Sequence, residues 1–230
     1  MPLWLALAAL ALLALAPLAF WPAYLSKLSA ADGYTHAHAA LGTLWLLLLL
    51  VQPLLVRASR RSQHRMLGRA GVMVGAAFVV SGVLIAHRSV ARMTVEQFSQ
   101  EGRFVYLPLA MAAIFAAALS MAVQWRHAAP VHGRFMAATA LALLDPLFAR
   151  LLFVYAPPLP AEVLYQVPAF GLSLAVLLVM VLSLPSHAPG RPALLYFAAG
   201  VTAVLLGFFV IPNTGPWLSF ATWFRELPLT

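Results

Sequence analysis

The chain has 230 residues, of which 63% are hydrophobic and 9% charged, and its mean hydropathy is +0.93. A soluble domain carries about 25% charged residues, so this chain has too little polar surface to close a globule in water. It has no cysteine, which excludes disulfides, thiolate metal sites and iron–sulfur clusters.

Apolar runs long enough to cross a bilayer, about 20 residues each, predict seven spans in one domain over residues 1–230. The first covers residues 3–21. Ala14-Leu15-Ala16 resembles a signal-peptide cleavage site. However, no basic residue precedes the run and the run is long for a signal core, so a retained span is expected. The second span covers 38–56 and ends in a basic loop with Arg57, Arg60 and Arg61.

The third, 66–86, follows His64-Arg65-Met-Leu-Gly68-Arg69. On a helix, His64, Gly68, Gly71, Gly75 and Gly82 share one face. Such a face lets a neighbouring backbone approach closely, which predicts that this helix is the packed centre. A polar connection follows, in which Thr94-Val-Glu-Gln97 reads as a capping box.

The fourth span is 104–125 and the fifth 134–156, the latter holding Asp145 and Arg150. The sixth is 163–184, with a kink expected at Pro168. The seventh, 193–211, is stopped by Pro212. In the tail, 216–227, Trp217, Phe220, Phe224 and Leu227 share a face, which predicts an amphipathic interfacial helix.

The net charge of +8 has a topological explanation. If the Arg57–Arg69 loop faces the cytoplasm, that side also collects Arg126, Arg134 and Arg191 and carries no acid. The other side balances Lys27 and four arginines against five acids. The positive-inside rule then places the N-terminus in the cytoplasm and the C-terminus outside. The expected location is a bacterial inner membrane, as a multi-pass protein. Its partners would be the lipid bilayer and a second copy or a membrane redox partner, with no nucleic acid.

The polar side chains inside or beside the spans form two expected groups. His38, Gly42, Trp45 and Gln52 share a face of the second span, whereas His36 points away. Gln52 lies 14 residues below His38, about 21 Å, and so joins His64 and His132 on the inner side. His38, Arg150 and Asp145 form the outer group, although Asp145 leaves the shared face of its helix unless Pro146 distorts it. His87, His127 and His187 are expected at the surface.

Two imidazoles facing one another could ligate a haem b iron axially, with Arg65 and Arg134 suited to its propionates. The same His64 and His132 together with His38 are the candidate metal ligands for a metal-dependent enzyme with Asp145 as base. A transporter or proton-coupled carrier using Gln52, Asp145 and Arg150 is a third reading. The bland alternatives are interfacial anchoring for the histidines and a purely structural Asp145–Arg150 pair.

At these residues the chain resembles a broad, largely uncharacterised bacterial family of predicted multi-span membrane proteins. The resemblance rests on His38 and Gly42, then His64-Arg65-Met-Leu-Gly68-Arg69, then His132-Gly-Arg134-Phe-Met136 with Arg150, and covers residues 36–156. Gly133 stands where that pattern has a basic residue. The resemblance implies a helical membrane fold and no assigned activity. A weaker similarity is to transmembrane b-type cytochromes, which implies one haem at the His64/His132 level. No second inward histidine accompanies His38 for another.

Overall fold

The structure is a computed structural model that describes residues 3–158 and 165–230. Every regular element among these residues is helical. The α-helices are α1 (Trp4–Phe20), α2 (Gly33–Arg57), α3 (Arg61–Ala91), α4 (Val95–Glu101) and α5 (Tyr106–Gln124), followed by α6 (Ala129–Ala138), α7 (Leu141–Tyr155), α8 (Gln166–Leu182), α9 (Arg191–Gly207) and α10 (Gly215–Glu226). Four continuous or near-continuous segments are long and apolar enough to cross a membrane: Gly33–Arg57, Arg61–Ala91, Val95–Gln124 and Ala129–Tyr155. Helices α1, α8 and α9 are apolar but shorter. The expected start of the sixth span at 163 lies outside the described residues.

Helices α2 and α3 form an antiparallel hairpin held in one register over its whole length. The turn between them is a Schellman closure: Arg60 N–H donates to the Leu55 carbonyl at 2.8 Å and Ser59 N–H to that of Val56 at 3.1 Å. Ser59 takes the left-handed conformation this motif requires, at φ 58°.

From that turn outward, side chains of α2 settle over the glycines of α3. Gln52 lies beside Gly68, Leu48 beside Gly71, Trp45 beside Gly75 and His38 beside Gly82. In the reverse direction, Phe78 of α3 fills the space over Gly42 of α2. At the far end Asp32 caps α2 and pairs with Arg88 of α3 in the same register. The pairing runs about 30 Å, from Asp32 to Gln52.

The glycine face therefore does not bring bare backbones together, as the sequence suggested. It receives large side chains, because Leu, Trp and Gln sit opposite each gap. A Cβ on Gly75 would come within 2.9 Å of the Trp45 ring and 2.6 Å of Leu119.

The centre of the bundle is α5 rather than α3. Helix α5 packs on α3, α6, α7 and α9, and buries Ala110, Met111, Ile114, Phe115, Ala118 and Leu119 in the main core. Its alanines let several helices close around it, while α3 is covered mainly on the side of its glycines.

The fifth span is not one straight helix. It is interrupted at Thr139–Ala140, where Ala140 N–H bonds to Ala137 O at 2.9 Å and Leu143 N–H to Ala140 O at 3.1 Å. These i→i−3 bonds tighten the turn and rotate α7 relative to α6. Pro168 falls in the first turn of α8, where proline is tolerated; the stretch before it that would show the expected kink lies outside the described residues.

The tail helix α10 turns its apolar side to the protein. Ala221 and Phe224 are buried with Ala86, Val90 and Val105. The Trp217 indole donates to the Arg103 carbonyl at 2.8 Å, and Arg225 to that of Met93 at 2.7 Å. This packing also buries His87, 1% exposed, contrary to its expected surface position. The His87 ring meets Phe224 edge to face at 5.3 Å, and its Nδ1 bonds the Thr230 hydroxyl at 2.8 Å.

Candidate functional site

The two histidines expected on the inner side meet. His64 and His132 are each the fourth residue of their helices, α3 and α6. Their ring centroids are 6.4 Å apart and their planes lie at 86°. Each ring is fixed by a hydrogen bond at Nδ1. His132 Nδ1–H donates to the Ala122 carbonyl of α5 at 2.8 Å. This leaves its Nε2 with a free lone pair.

Gln52 of α2 supplies the partner for His64. In the amide orientation that matches donors to acceptors, its nitrogen donates to His64 Nδ1 at 2.5 Å and to the His64 carbonyl at 3.3 Å. Its oxygen accepts from Gly68 N–H at 3.0 Å. His64 then carries its proton on Nε2. The α2–α3 hairpin and the distant α6 thus converge on one imidazole pair, and the α2–α3 register places Gln52 there.

The arginines expected beside the pair divide. Arg65 is exposed. Arg134 is committed elsewhere: it donates to the carbonyls of Met180 at 3.1 Å, Ser183 at 2.6 Å and Pro130 at 2.9 Å. It caps the end of α8, where unpaired carbonyls favour a cation, so most of its N–H donors are engaged away from the histidines.

The outer group comes together only in part: Arg150 lies near enough to His38 to act on it electrostatically, whereas Asp145 bonds neither. His38 Nδ1–H donates to Ser81 Oγ at 2.9 Å, and Ser81 in turn donates to the Phe78 carbonyl at 2.9 Å. The His38 ring stacks on Phe78 with centroids 4.6 Å apart. It is separated from the inner pair by most of α2, so the three histidines cannot share one metal ion. Among the described residues no group of three or more His, Asp or Glu side chains comes together. His36, as expected, points away and bonds the Tyr24 hydroxyl at 2.8 Å.

Asp145 and Arg150 do not pair. The tightened turn before α7 carries Asp145 onto the buried face with Leu141, Ala142 and Ala149, leaving it 1% exposed. Arg150 is exposed and lies over the Phe20 ring of α1 at 4.9 Å. Trp45 is buried and donates from its indole N–H to Thr139 Oγ at 3.1 Å, while the Thr139 hydroxyl donates to the Met136 carbonyl at 2.6 Å. This bond ties α2 to the break between α6 and α7.

Asp32, at the head of α2 outside the span, is a second polar centre that side-chain patterning did not single out. It accepts from Thr35 N–H at 2.9 Å, pairs with Arg88, and faces Arg92 at 3.2 Å. The Thr35 N–H, followed by the Arg88 guanidinium, holds its carboxyl far below the ordinary carboxylate range. The signal available in the sequence was an Asp preceding Gly-Tyr-Thr, a helix-cap pattern. No protein-family model, curated protein or solved structure matches this chain.

Proposed function

We propose that this integral membrane protein crosses a bacterial inner membrane seven times, N-terminus in the cytoplasm, and holds one b-type haem between His64 and His132. The observation that carries the reading is the facing pair of rings, 6.4 Å apart and nearly perpendicular. His64 and His132 would hold the iron of such a group through their Nε2 atoms. The haem would supply one-electron transfer to a membrane partner.

His132 is ready to ligate as it stands, because its Nδ1–H is already held by Ala122 O. His64 must place its proton on Nδ1 instead. A half-turn of the Gln52 amide offers it the carbonyl oxygen as acceptor, at the expense of the contact to Gly68 N–H. Arg65, one residue from His64 and exposed, is the cation nearest in sequence for a carboxylate. A zinc enzyme fits less well, since it needs three protein ligands and His38 is held away by Ser81.

The test is the absorbance spectrum of the protein purified from cells supplied with a haem precursor. A Soret band in the wild type that is lost in His64→Ala and His132→Ala is the expected result. A folded wild type with no Soret band overturns the proposal.

A further inference from the structure

Away from the histidine pair, the bundle contains buried polar atoms that nothing in the haem reading uses. Both carboxyl oxygens of Asp145 are buried without a hydrogen-bond partner among the described residues, and so is Ser173 Oγ. Asp145 is 1% exposed and Ser173 2%.

The two residues lie at the same level of neighbouring helices. Helices α7 and α8 pack together, and Phe153 of α7 meets Tyr165, the residue before α8, with ring centroids 5.5 Å apart. Counting along both helices from the Phe153–Tyr165 contact, eight residues on each, places Asp145 level with Ser173.

Among the described residues no neighbouring element offers a cation. Helices α1 and α8 carry no ionisable side chain, and α5 carries only Tyr106. The His132 and Arg134 side chains of α6 are bonded to backbone carbonyls elsewhere, and Arg150 of α7 lies over Phe20. A carboxylate buried without a countercharge or donor is strongly disfavoured, and a bound proton removes the charge. Pro146 adds an acceptor nearby, since it cannot donate to the carbonyl of Ala142.

We propose that Asp145 is a proton-binding site inside the membrane, whose carboxyl O–H reaches Ser173 Oγ through a change of side-chain rotamer, since no bond joins the two groups as they stand. One proton binds the carboxylate and leaves it again, with no change of oxidation state. Gln166 extends the site toward the end of the bundle where α7 stops. It lies two turns from Ser173 on the same face of α8, and its Oε1 is also buried without a partner among the described residues.

The chain has only two aspartates, Asp32 and Asp145, so carboxyl-labelled aspartate isolates the site in an infrared spectrum of the full-length protein in lipid. At neutral pH the expected spectrum has one ionised aspartate and one protonated carboxyl C=O band. Asp145→Asn removes that band, and Ser173→Ala, which deletes its acceptor, moves it to higher frequency. Asp32→Asn removes only the ionised signal, so the assignment survives even if Asp145→Asn fails to fold.

Two ionised aspartates at neutral pH would overturn the proposal. So would a carboxyl band that Ser173→Ala leaves in place. Loss of the band when sodium replaces choline at constant pH would show a metal cation instead of a proton, and would overturn it as well. None of these outcomes depends on haem at His64 and His132.

Discussion

Trp45 and Gly75 occupy one space: the indole of α2 fills the gap that the missing side chain of α3 leaves, and a Cβ there would fall 2.9 Å from the ring. The relationship repeats along the hairpin and sets the level at which Gln52 reaches His64. The hairpin register, and with it the Gln52–His64 contact, rests in part on this packing.

Gly75→Ala is therefore expected to destabilise the bundle by about 1–3 kcal/mol, the usual cost of overpacking. Trp45 cannot give way, since its ring is held by Thr139. Gly71→Ala is the control, because its Cβ would meet Leu48 at an ordinary 3.5 Å. Thermal unfolding in one detergent should separate the two variants. Equal melting temperatures would show that the glycine face tolerates filling.

Removing the Trp45–Thr139 bond from one side strands a buried polar group. Thr139→Val leaves the indole N–H without its acceptor, at a cost of about 1–3 kcal/mol. Trp45→Phe together with Thr139→Val should cost less than the two single changes added. A double-mutant cycle on unfolding free energies reads the coupling, and strict additivity would contradict the bond.

Asp32 gives the bundle a pH-dependent end. Its carboxyl is held below the ordinary range in the folded protein. The stability it contributes is thus fully present above its unfolded value, about 3.9, and is lost as the pH falls toward the folded value. Wild type should melt above Asp32→Asn near neutral pH, and the gap should close progressively below about pH 4. A gap independent of pH would mean that Asp32 acts only as a neutral cap.

Gln52 tests how the histidine pair is supported. Gln52→Leu removes the side-chain partner of His64 Nδ1 while keeping the apolar packing of α2. Loss of a group that orients a ligating histidine typically weakens binding about 10–100-fold. Titration of the purified protein with haem should show that loss. Unchanged affinity would remove Gln52 from the site.

What the sequence made legible follows from the range of the interactions. Helices appear in long apolar runs because local hydropathy decides them, and the depth of His64, His132 and Gln52 follows from rise per residue alone. Three features depended on partners that no single helix reveals. The side chains that fill the glycine face belong to α2. The burial of Asp145 depends on a tightened turn at Thr139–Ala140, six residues before the Pro146 that drew attention to it. His87 is covered by α10, whose apolar face finds the protein at the C-terminal end of α3, where patterning alone suggested lipid.

The most direct measurement of the account is the electron paramagnetic resonance spectrum of the ferric protein. Two imidazoles on one iron with their planes nearly perpendicular, as His64 and His132 stand, predict a strongly anisotropic low-spin signal that becomes high-spin in either His64→Ala or His132→Ala. A wild-type protein that binds haem with a high-spin signal, or whose low-spin signal survives both substitutions, would contradict it.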